Sequence, residues 1–346
     1  MPWLVSIVNR PAPAHRAALP AVQARKEELL ALWSRHIEPV AEDGPGDYED
    51  FYEQAVRLES ALDSFGADNV WLHVSTDRET AVNAGTGERR PAEELAHLPR
   101  YGTQASLRHQ DVDMEQARLA ANYYRYEAFL ARAGRRVALC GFGMEGETAT
   151  ELGDVLAGWA ADGVRRAFLK SSRVKYAAFP VDLPEGFRPE HGARAVFDEL
   201  DYGAMSLEGQ RESLIAQEFV KMEYEYRVFV VEQRAVTGAG CIEERTPLDN
   251  NGYAFDNKLR RNRSEMTDVE LAPEIVGMLK GCARRAIEAL AKEVPELEDY
   301  VIDVAIGADG QPLIIELNSL LNSGLYASQP TRVTEAMAAR ERELAL

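Results

Sequence analysis

The sequence YVIDVAIGADGQPLIIELNSLLNSGLY, residues 300–326, contains two β-branched and aliphatic runs separated by Gly and Asp at residues 307–310. A Gly/Asp cluster between two such runs predicts a β-hairpin with a tight turn. Because side chains alternate between the two faces of a strand, one face of this hairpin is apolar. The other face carries Asp303 in the first strand and Glu316 and Asn318 in the second.

These three polar residues are candidate metal ligands. If the turn pairs Ile306 with Gln311, Asp303 and Glu316 become diagonal cross-strand neighbours at roughly 7 Å between their backbones. Two carboxylates at that spacing repel each other unless a cation lies between them. Mg²⁺ prefers hard oxygen ligands and usually keeps bound water and substrate phosphate, so Asp303, Glu316 and Asn318 suit a metal-nucleotide site. The alternative is a hairpin with a polar face turned to solvent.

Length and composition restrict the class of protein. The chain has 346 residues, enough for two or three subdomains. Its formal net charge of −18 argues against a general nucleic-acid or membrane-surface binder. Three cysteines without C-x-x-C spacing, and the lack of a leader or a long apolar run, predict a cytoplasmic protein in a reducing compartment.

Upstream of the hairpin, several polar residues occur at the ends of predicted strands. Lys170 ends a predicted strand, Arg166 to Lys170, and a strand over Leu214 to Val220 runs into a polar segment. Glu225 and Arg227 then share one face of the next predicted strand, by period 2. A same-face ion pair without a function is the competing interpretation of these last two residues.

The order of these features, Lys, linker strand, Glu-x-Arg strand, then Asp and Glu-x-Asn hairpin, resembles the ATP-grasp ligases over roughly residues 136–326. It is most similar to a divergent bacterial and phage clade. The resemblance implies an α/β (α+β) fold in which two α+β lobes sandwich the nucleotide. It predicts an N-terminal α/β domain over residues 1–135, a first lobe over 136–220, and a second lobe with the metal site over 221–346.

The resemblance also implies residue roles, with ATP and Mg as cofactors. Lys170 would contact the nucleotide phosphates, with Lys175 as a second contact, and Arg227 and Arg245 would act on phosphate or substrate. Glu225 would lie on the ribose or metal side. The adenine linker would be Gln217, Glu218, Phe219 and Val220. Because the segment SSRVKYAAF lacks the family's glycines, its side chains (Ser171, Ser172, Arg173 and Lys175) would replace backbone NH groups as phosphate donors.

The implied reaction is an ADP-forming ligation. A small-molecule or peptide carboxylate would attack the γ-phosphate of Mg-ATP, and an amine would capture the resulting acyl phosphate. An ATP-grasp kinase, which transfers the phosphate to a hydroxyl, and a nucleotide-binding module without catalysis are alternatives. A third alternative is an NADP-dependent oxidoreductase, because Gly141 to Gly146 spells G-x-G-x-x-G. However, the strand that follows ends in Lys170-Ser171-Ser172 rather than the acidic residue this fingerprint requires.

The segment 258–263 places Lys258, Arg260, Arg261 and Arg263 close together in an acidic chain. We predict a lid or a binding patch for the γ-phosphate and an acidic substrate, against the simpler interpretation of a solvated charge run.

Periodicity predicts the other elements that matter below. Helices are predicted over 113–132, 149–161, 207–213 and 271–294, and a stretch without assignable structure over 78–110. Tyr123, Tyr124 and Tyr126 fall in the first of these helices and are predicted to pack between subdomains.

Overall fold

A computed structural model describes residues 1–7, 20–36, 51–74, 80–102, 114–142, 147–172, 178–200, 210–320 and 323–344. The helices are α1 (Pro20–His36), α2 (Phe51–Phe65), α3 (Met114–Ala121), α4 (Glu127–Leu130), α5 (Glu147–Ala161), α6 (Glu190–Leu200), α7 (Pro273–Glu293) and α8 (Pro330–Leu344). The strands are β1 (Trp3–Ile7), β2 (Val70–Val74), β3 (Thr80–Asn83), β4 (Arg89–Pro91), β5 (Arg100–Gly102), β6 (Val137–Phe142), β7 (Arg166–Ser171), β8 (Ala178–Asp182), β9 (Gln210–Glu218), β10 (Met222–Val231), β11 (Arg234–Gly240), β12 (Lys258–Arg260), β13 (Val269–Leu271), β14 (Tyr300–Gly307) and β15 (Pro312–Ser319).

The chain forms two compact units, neither of which is a single stretch of sequence. Unit 1 contains residues 1–120, 223–305 and 317–346, and unit 2 contains residues 121–222 and 306–316. The hairpin β14–β15 therefore has its tip in unit 2 and its base in unit 1. The domain boundaries after residues 135 and 220 stay a prediction, because the units are not defined by single cuts in the chain.

In unit 1, a five-stranded sheet of order β4-β3-β2-β1-β5 begins the chain, with β1 parallel to both β2 and β5. Helix α2 packs on it through an apolar face, where the rings of Trp3 and Phe65 stack with centroids 4.2 Å apart. The same core continues into α8 through Val333 and Met337 and into β10 through Phe229. The N-terminal sheet and the C-terminal helix thus share one hydrophobic core.

A second sheet of order β11-β10-β14-β15 carries several of the predicted site residues. Every residue of β14 is buried, which accounts for its continuous run of β-branched and aliphatic side chains. The predicted turn is confirmed: the Gly307 amide donates to the Gln311 carbonyl at 2.8 Å, and Gly310 adopts a φ of 76° that suits glycine.

Unit 2 contains a sheet of order β6-β9-β7-β8 in which every described pairing is antiparallel. Helices α5 and α6 pack on this sheet around a core that includes Leu152, Leu156 and Val196. Strand β9 lies between β6 and β7, so the unit β6-α5-β7 does not place two parallel strands side by side. A dinucleotide-binding fold requires such adjacent parallel strands.

Four sequence predictions need correction. The helix over 113–132 is interrupted: α3 ends at Ala121, residues 123–125 form a 3₁₀ turn, and α4 is short. Residues 210–213, predicted as helix, begin strand β9 instead. Helix α5 begins at Glu147 rather than at residue 149, and the unassigned stretch from residue 78 contains strands β3, β4 and β5. Pairing with neighbours in the sheet decided these strands, which have little apolar periodicity of their own.

Helix α7 was predicted over 271–294, with Met278 on its buried side. The helix is confirmed, but Met278 is exposed and Val276 and Ala283 are buried in its place. The apolar stripe is therefore rotated slightly from the predicted one. Among the described residues, none of the helices is both long enough and apolar enough to cross a membrane.

Candidate functional site

In unit 1, Arg227 on β10 and Asp303 on β14 form a buried bidentate pair. Arg227 donates from Nε to Asp303 Oδ1 at 2.9 Å and from Nη2 to Oδ2 at 2.8 Å. The adjacency of β10 and β14 in the sheet makes this fork-to-fork geometry possible. Burial lowers the pKa of Arg227, but the charge and hydrogen bonds of Asp303 outweigh it, so this pKa is raised well above its usual value.

Asn318 joins the same cluster from β15. Its Nδ2 donates to Asp303 Oδ2 at 3.1 Å. The sequence prediction that Asp303 and Asn318 lie on one face of the hairpin is therefore met by a direct contact. Asp303 is only 5% exposed, and its carboxylate accepts three described hydrogen bonds, from Arg227 and Asn318.

The chain that follows β15 covers Arg227. The Gly324 carbonyl accepts from Arg227 Nη1 at 3.1 Å, and the Tyr326 ring lies 5.1 Å from the guanidinium carbon. Tyr326 adopts a φ of 47°, which is unusual for a residue with a side chain. Burial raises the pKa of Tyr326, with a further contribution from the nearby Cys241. Arg227 is thus enclosed by a carboxylate, a carbonyl and an aromatic ring.

The basic segment 258–263 is largely paired with acidic side chains of unit 1. Arg263 lies 3.3 Å from Glu225 and also bonds Glu243, while Arg260 contacts Glu244 at 3.0 Å. Arg261 pairs with Glu223 at 2.9 Å. The segment is therefore charge-compensated in this structure, and its predicted role as a lid stays a prediction. Arg245, predicted as catalytic, contacts Asp249 at 3.5 Å, and none of its described contacts joins it to Asp303.

In unit 2, Lys170 at the end of β7 forms an ion pair with Glu316 near the tip of the hairpin. The ammonium also lies 5.7 Å from the centre of the Tyr123 ring. Burial lowers the pKa of Lys170, but the charge and hydrogen bonds of Glu316 and Tyr123 outweigh it, and the net shift is upward. Lys170 therefore carries its charge at any physiological pH.

Arg135 organises the surroundings of this pair, and sequence reasoning missed it. Its guanidinium donates to the backbone carbonyls of Ile314 at 2.9 Å and Ile315 at 2.8 Å, directly before Glu316 in β15. It also donates to Gln217 Oε1 at 3.2 Å. An arginine between two strands has no periodic signal in the sequence, so only the structure could reveal this role.

The predicted adenine linker has one buried donor without a partner. Gln217 is 8% exposed, and its Nε2 atom makes no described hydrogen bond. The backbone amides of Glu218 and Phe219 are already used, because they donate to the carbonyls of Arg136 and Arg166 at 2.9 and 3.0 Å. Phe219 is 47% exposed, which is unusual for a large apolar side chain. An orphaned amide donor beside an exposed ring fits a planar heterocycle with acceptor nitrogens.

Not every predicted residue can be placed. Lys175 and Arg173 lie outside the described residues, as does most of the glycine segment 141–146. Ser171 is buried at the end of β7, directly after Lys170. Tyr123 and Tyr124 are buried, and the contact of Tyr123 with Lys170 gives this aromatic residue a place in the candidate site that the prediction of simple packing did not include.

The donor set can be compared with what a nucleotide-bound Mg²⁺ requires. Among the described residues, no three or more His, Cys, Asp or Glu side chains are grouped so as to hold a metal by themselves. Mg²⁺ bound with a nucleotide needs only one or two protein carboxylates, since phosphates and water complete its shell. Asp303, Glu316 and Asn318 supply oxygens of the right kind, and the two carboxylates each have a cation beside them.

A comparison with protein-family models identifies the domain. Residues 190–336 match a model described as an ATP-grasp domain, the second family of its clade. This part of the chain is an ATP-grasp domain. The match includes Gln217 to Val220, Glu225, Arg227, Asp303, Glu316 and Asn318, while Lys170 lies before it. The predicted family and the α+β ATP-grasp fold are therefore confirmed.

Solved structures with similar folds include proteins of comparable length. The chain is similar to D-alanyl-alanine synthetase A from Vibrio cholerae at 12% identity, covering 100% of this chain and 99% of that one, with a TM-score of 0.47. A D-alanine–D-alanine ligase from Bacillus anthracis, complexed with ATP, matches at 12% identity over 99% of both chains, with a TM-score of 0.43. A D-cycloserine synthetase matches at 17% identity over 97% and 99%, with a TM-score of 0.43. A comparison with curated proteins finds no match.

Proposed function

We propose that this protein is an ATP- and Mg-dependent ligase that joins a carboxylate to an amine through an acyl phosphate. The observation that carries the proposal is the arrangement of charges around the two candidate metal carboxylates. Asp303 is held by Arg227 and Asn318 in unit 1, and Glu316 is held by Lys170 in unit 2. The family model, which describes an ATP-grasp domain, supports ATP as the nucleotide.

Each predicted residue has a role in this proposal. Asp303, Glu316 and Asn318 would hold Mg²⁺, which supplies charge neutralisation for the phosphates when it is bound. Lys170 and Arg227 would bind phosphate oxygens and offset the charge on the transferred group. Gln217 would donate from its unpartnered Nε2 to the adenine ring. Glu225 would lie on the ribose or metal side of the nucleotide.

The reaction would take place in two steps. A carboxylate oxygen of the first substrate attacks the γ-phosphorus of ATP, the bond to the β-phosphate oxygen breaks, and ADP leaves. The amine nitrogen of the second substrate then attacks the acyl carbon, inorganic phosphate leaves, and the amine loses a proton. No residue of the protein forms a covalent bond, so positioning and electrostatic stabilisation would account for catalysis.

An ADP-release screen tests the proposal. The protein is mixed with Mg-ATP and pairs drawn from amino acids, peptides and polyamines, and products are identified by mass spectrometry. We expect ADP and phosphate to appear together with an amide whose mass is that of both substrates less one water. Phosphorylation of a hydroxyl would instead identify a kinase, and ATP binding without ADP release for any pair would identify an inactive module. Either outcome overturns the ligase proposal.

Two substitutions test the site. Glu316→Gln removes a candidate metal ligand, and Lys170→Met removes a candidate phosphate contact. We expect each to lower turnover by at least about tenfold, since losing one charged contact in such a site costs a few kcal/mol. Arg90→Met, at an exposed pair with Glu88 in unit 1, is the control and should retain wild-type turnover. Turnover of Mg-ATP by Glu316→Gln at the wild-type rate would show that the metal assignment is wrong.

The dinucleotide alternative has a direct test of its own. The antiparallel strand β9 between β6 and β7 does not favour it. A ligand that binds only the folded state raises the unfolding temperature. We expect Mg-ATP to stabilise the protein and NADPH to leave it unchanged, and the reverse result would favour the oxidoreductase.

A further inference from the structure

Two charged residues of helix α2 are buried and have no place in the roles assigned above. Glu53 is 6% exposed and Arg57 is 3% exposed, and they lie four residues apart on one face of the helix. The neighbouring positions Ala55 and Leu58 are apolar and buried. Burying a carboxylate and a guanidinium is costly, so two such residues in an otherwise apolar environment need an explanation beyond packing.

Both side chains bond the backbone that follows the metal-ligand strand β15. The amide of Leu325 donates to Glu53 Oε1, and Arg57 Nη2 donates to the carbonyl of Ser323 at 2.6 Å. The two bonds are made to opposite sides of Gly324. Residues 323–325 are thus held by α2 on both flanks, in a segment without regular secondary structure.

The residue between these two contacts reaches Arg227. The Gly324 carbonyl accepts from Arg227 Nη1, and a Cβ atom placed on Gly324 would lie 3.7 Å from Arg227 Nη1 and 3.9 Å from Glu53 Oε1. Glu53 and Arg227 therefore lie within a few ångströms of the same small residue. A continuous series of contacts runs from α2 through residues 323–325 to Arg227 and on to Asp303.

We infer that Glu53 and Arg57 are positioning residues: they fix the backbone of residues 323–325 so that its carbonyl orients Arg227 toward Asp303 and the reacting phosphate. The inference rests on the proposed function, in which Arg227 acts on the transferred group. Neither residue touches that group itself. Because catalysis by electrostatic positioning is sensitive to small displacements, loosening this segment would reduce turnover more than nucleotide binding.

Three substitutions separate positioning from simple packing. Glu53→Gln keeps an oxygen that can accept from the Leu325 amide, whereas Glu53→Leu removes the acceptor. Combining Glu53→Leu with Arg57→Met removes both charges, so that neither is left buried without compensation. The control is Ser60→Ala on the same helix: it removes the 3.2 Å hydrogen bond to Thr331 but touches none of residues 323–325.

The measurements are kcat, the Kd for Mg-ADP, and amide hydrogen exchange of the peptide that contains residues 323–326. For Glu53→Leu and for the double variant we expect kcat to fall at least about tenfold, Kd for Mg-ADP to change less than about threefold, and exchange of this peptide to accelerate. Glu53→Gln should recover most of the turnover, and Ser60→Ala should match the wild type in all three measurements.

The outcomes that overturn the inference are distinct. If the wild type forms ADP and product but Glu53→Leu and the double variant keep wild-type kcat, the assignment of Glu53 and Arg57 is wrong and the proposed function stands. Equal losses in kcat and in Mg-ADP affinity, or equal losses in Ser60→Ala, would indicate general destabilisation and also overturn it. A wild type that releases no ADP with any substrate pair overturns the proposed function and this assignment together.

Discussion

Breaking the buried pair between Arg227 and Asp303 should strongly destabilise unit 1 in the absence of any ligand. The side chains are 13% and 7% exposed, and Arg227→Met leaves the Asp303 carboxylate with Asn318 as its remaining described donor. Removing one partner of a buried ion pair typically costs about 3–5 kcal/mol, because the other charge stays buried without compensation. We therefore expect the free energy of unfolding to fall by about that amount.

The double variant Arg227→Met with Asp303→Asn distinguishes a charge effect from lost packing. Replacing both charges by neutral groups of similar shape removes the uncompensated charge and is often nearly neutral. We expect the double variant to lose less than either single variant, which gives a coupling free energy of roughly 2–4 kcal/mol between the two sites. Arg261→Met is the matched control, since its pair with Glu223 is largely exposed and should be close to neutral.

The assay is urea unfolding followed by tryptophan fluorescence, because Trp3 and Trp71 are buried in unit 1. Each variant is measured without nucleotide and without Mg²⁺, so that ligand binding does not shift the midpoint. An Arg227→Met midpoint that coincides with the midpoint of Arg261→Met would refute the reasoning. So would losses in the double variant that equal the sum of the two single losses, since additivity means that the charges do not interact.

Three further predictions concern the scaffold. Leu58→Ala should cost about 2–5 kcal/mol of unfolding free energy because Leu58 is fully buried, whereas Leu271→Ala, at a site 73% exposed, should leave the urea midpoint unchanged. Gly102→Ala should destabilise the protein by about 1 kcal/mol or more in the same assay, because φ is +106° and a Cβ would lie 1.9 Å from the Ser6 carbonyl oxygen; a wild-type midpoint would contradict this. Burial raises the pKa of Cys140 to about 12, so a disulfide reagent should modify it only on unfolding, and the unfolding free energy should decline as the pH rises from about 9 toward 12, because the unfolded thiol ionises first; rapid labelling of the native thiol would refute this.

The hairpin of residues 300–326 shows how far local pattern can be used. Alternation of apolar and polar residues, and a Gly/Asp turn, predicted both strands and the turn between them. The contact of Asp303 with Asn318 agrees with the predicted shared face. Period 2 is a property of any extended strand, so this part of the site could be deduced without knowing the rest of the fold.

Other elements depended on their neighbours. Strands β3, β4 and β5 are short and polar, and they exist because β1 and β2 provide edges for pairing. The segment 210–213 has a composition compatible with a helix but extends strand β9, which is paired on both sides. Sheet formation depends on partners that are distant in the chain, and a local pattern does not reveal them.

The sequence by itself determined the class of protein: the order of Lys170, the linker, Glu225 and Arg227, and the hairpin acids was enough to recognise an ATP-grasp domain. Only the tertiary structure decided which charges are partners. Arg227 with Asp303, Lys170 with Glu316, and Glu53 and Arg57 with residues 323–325 are all pairs of segments far apart in the chain. Charges interact through space over a few ångströms, and sequence spacing cannot predict which of them will approach that closely.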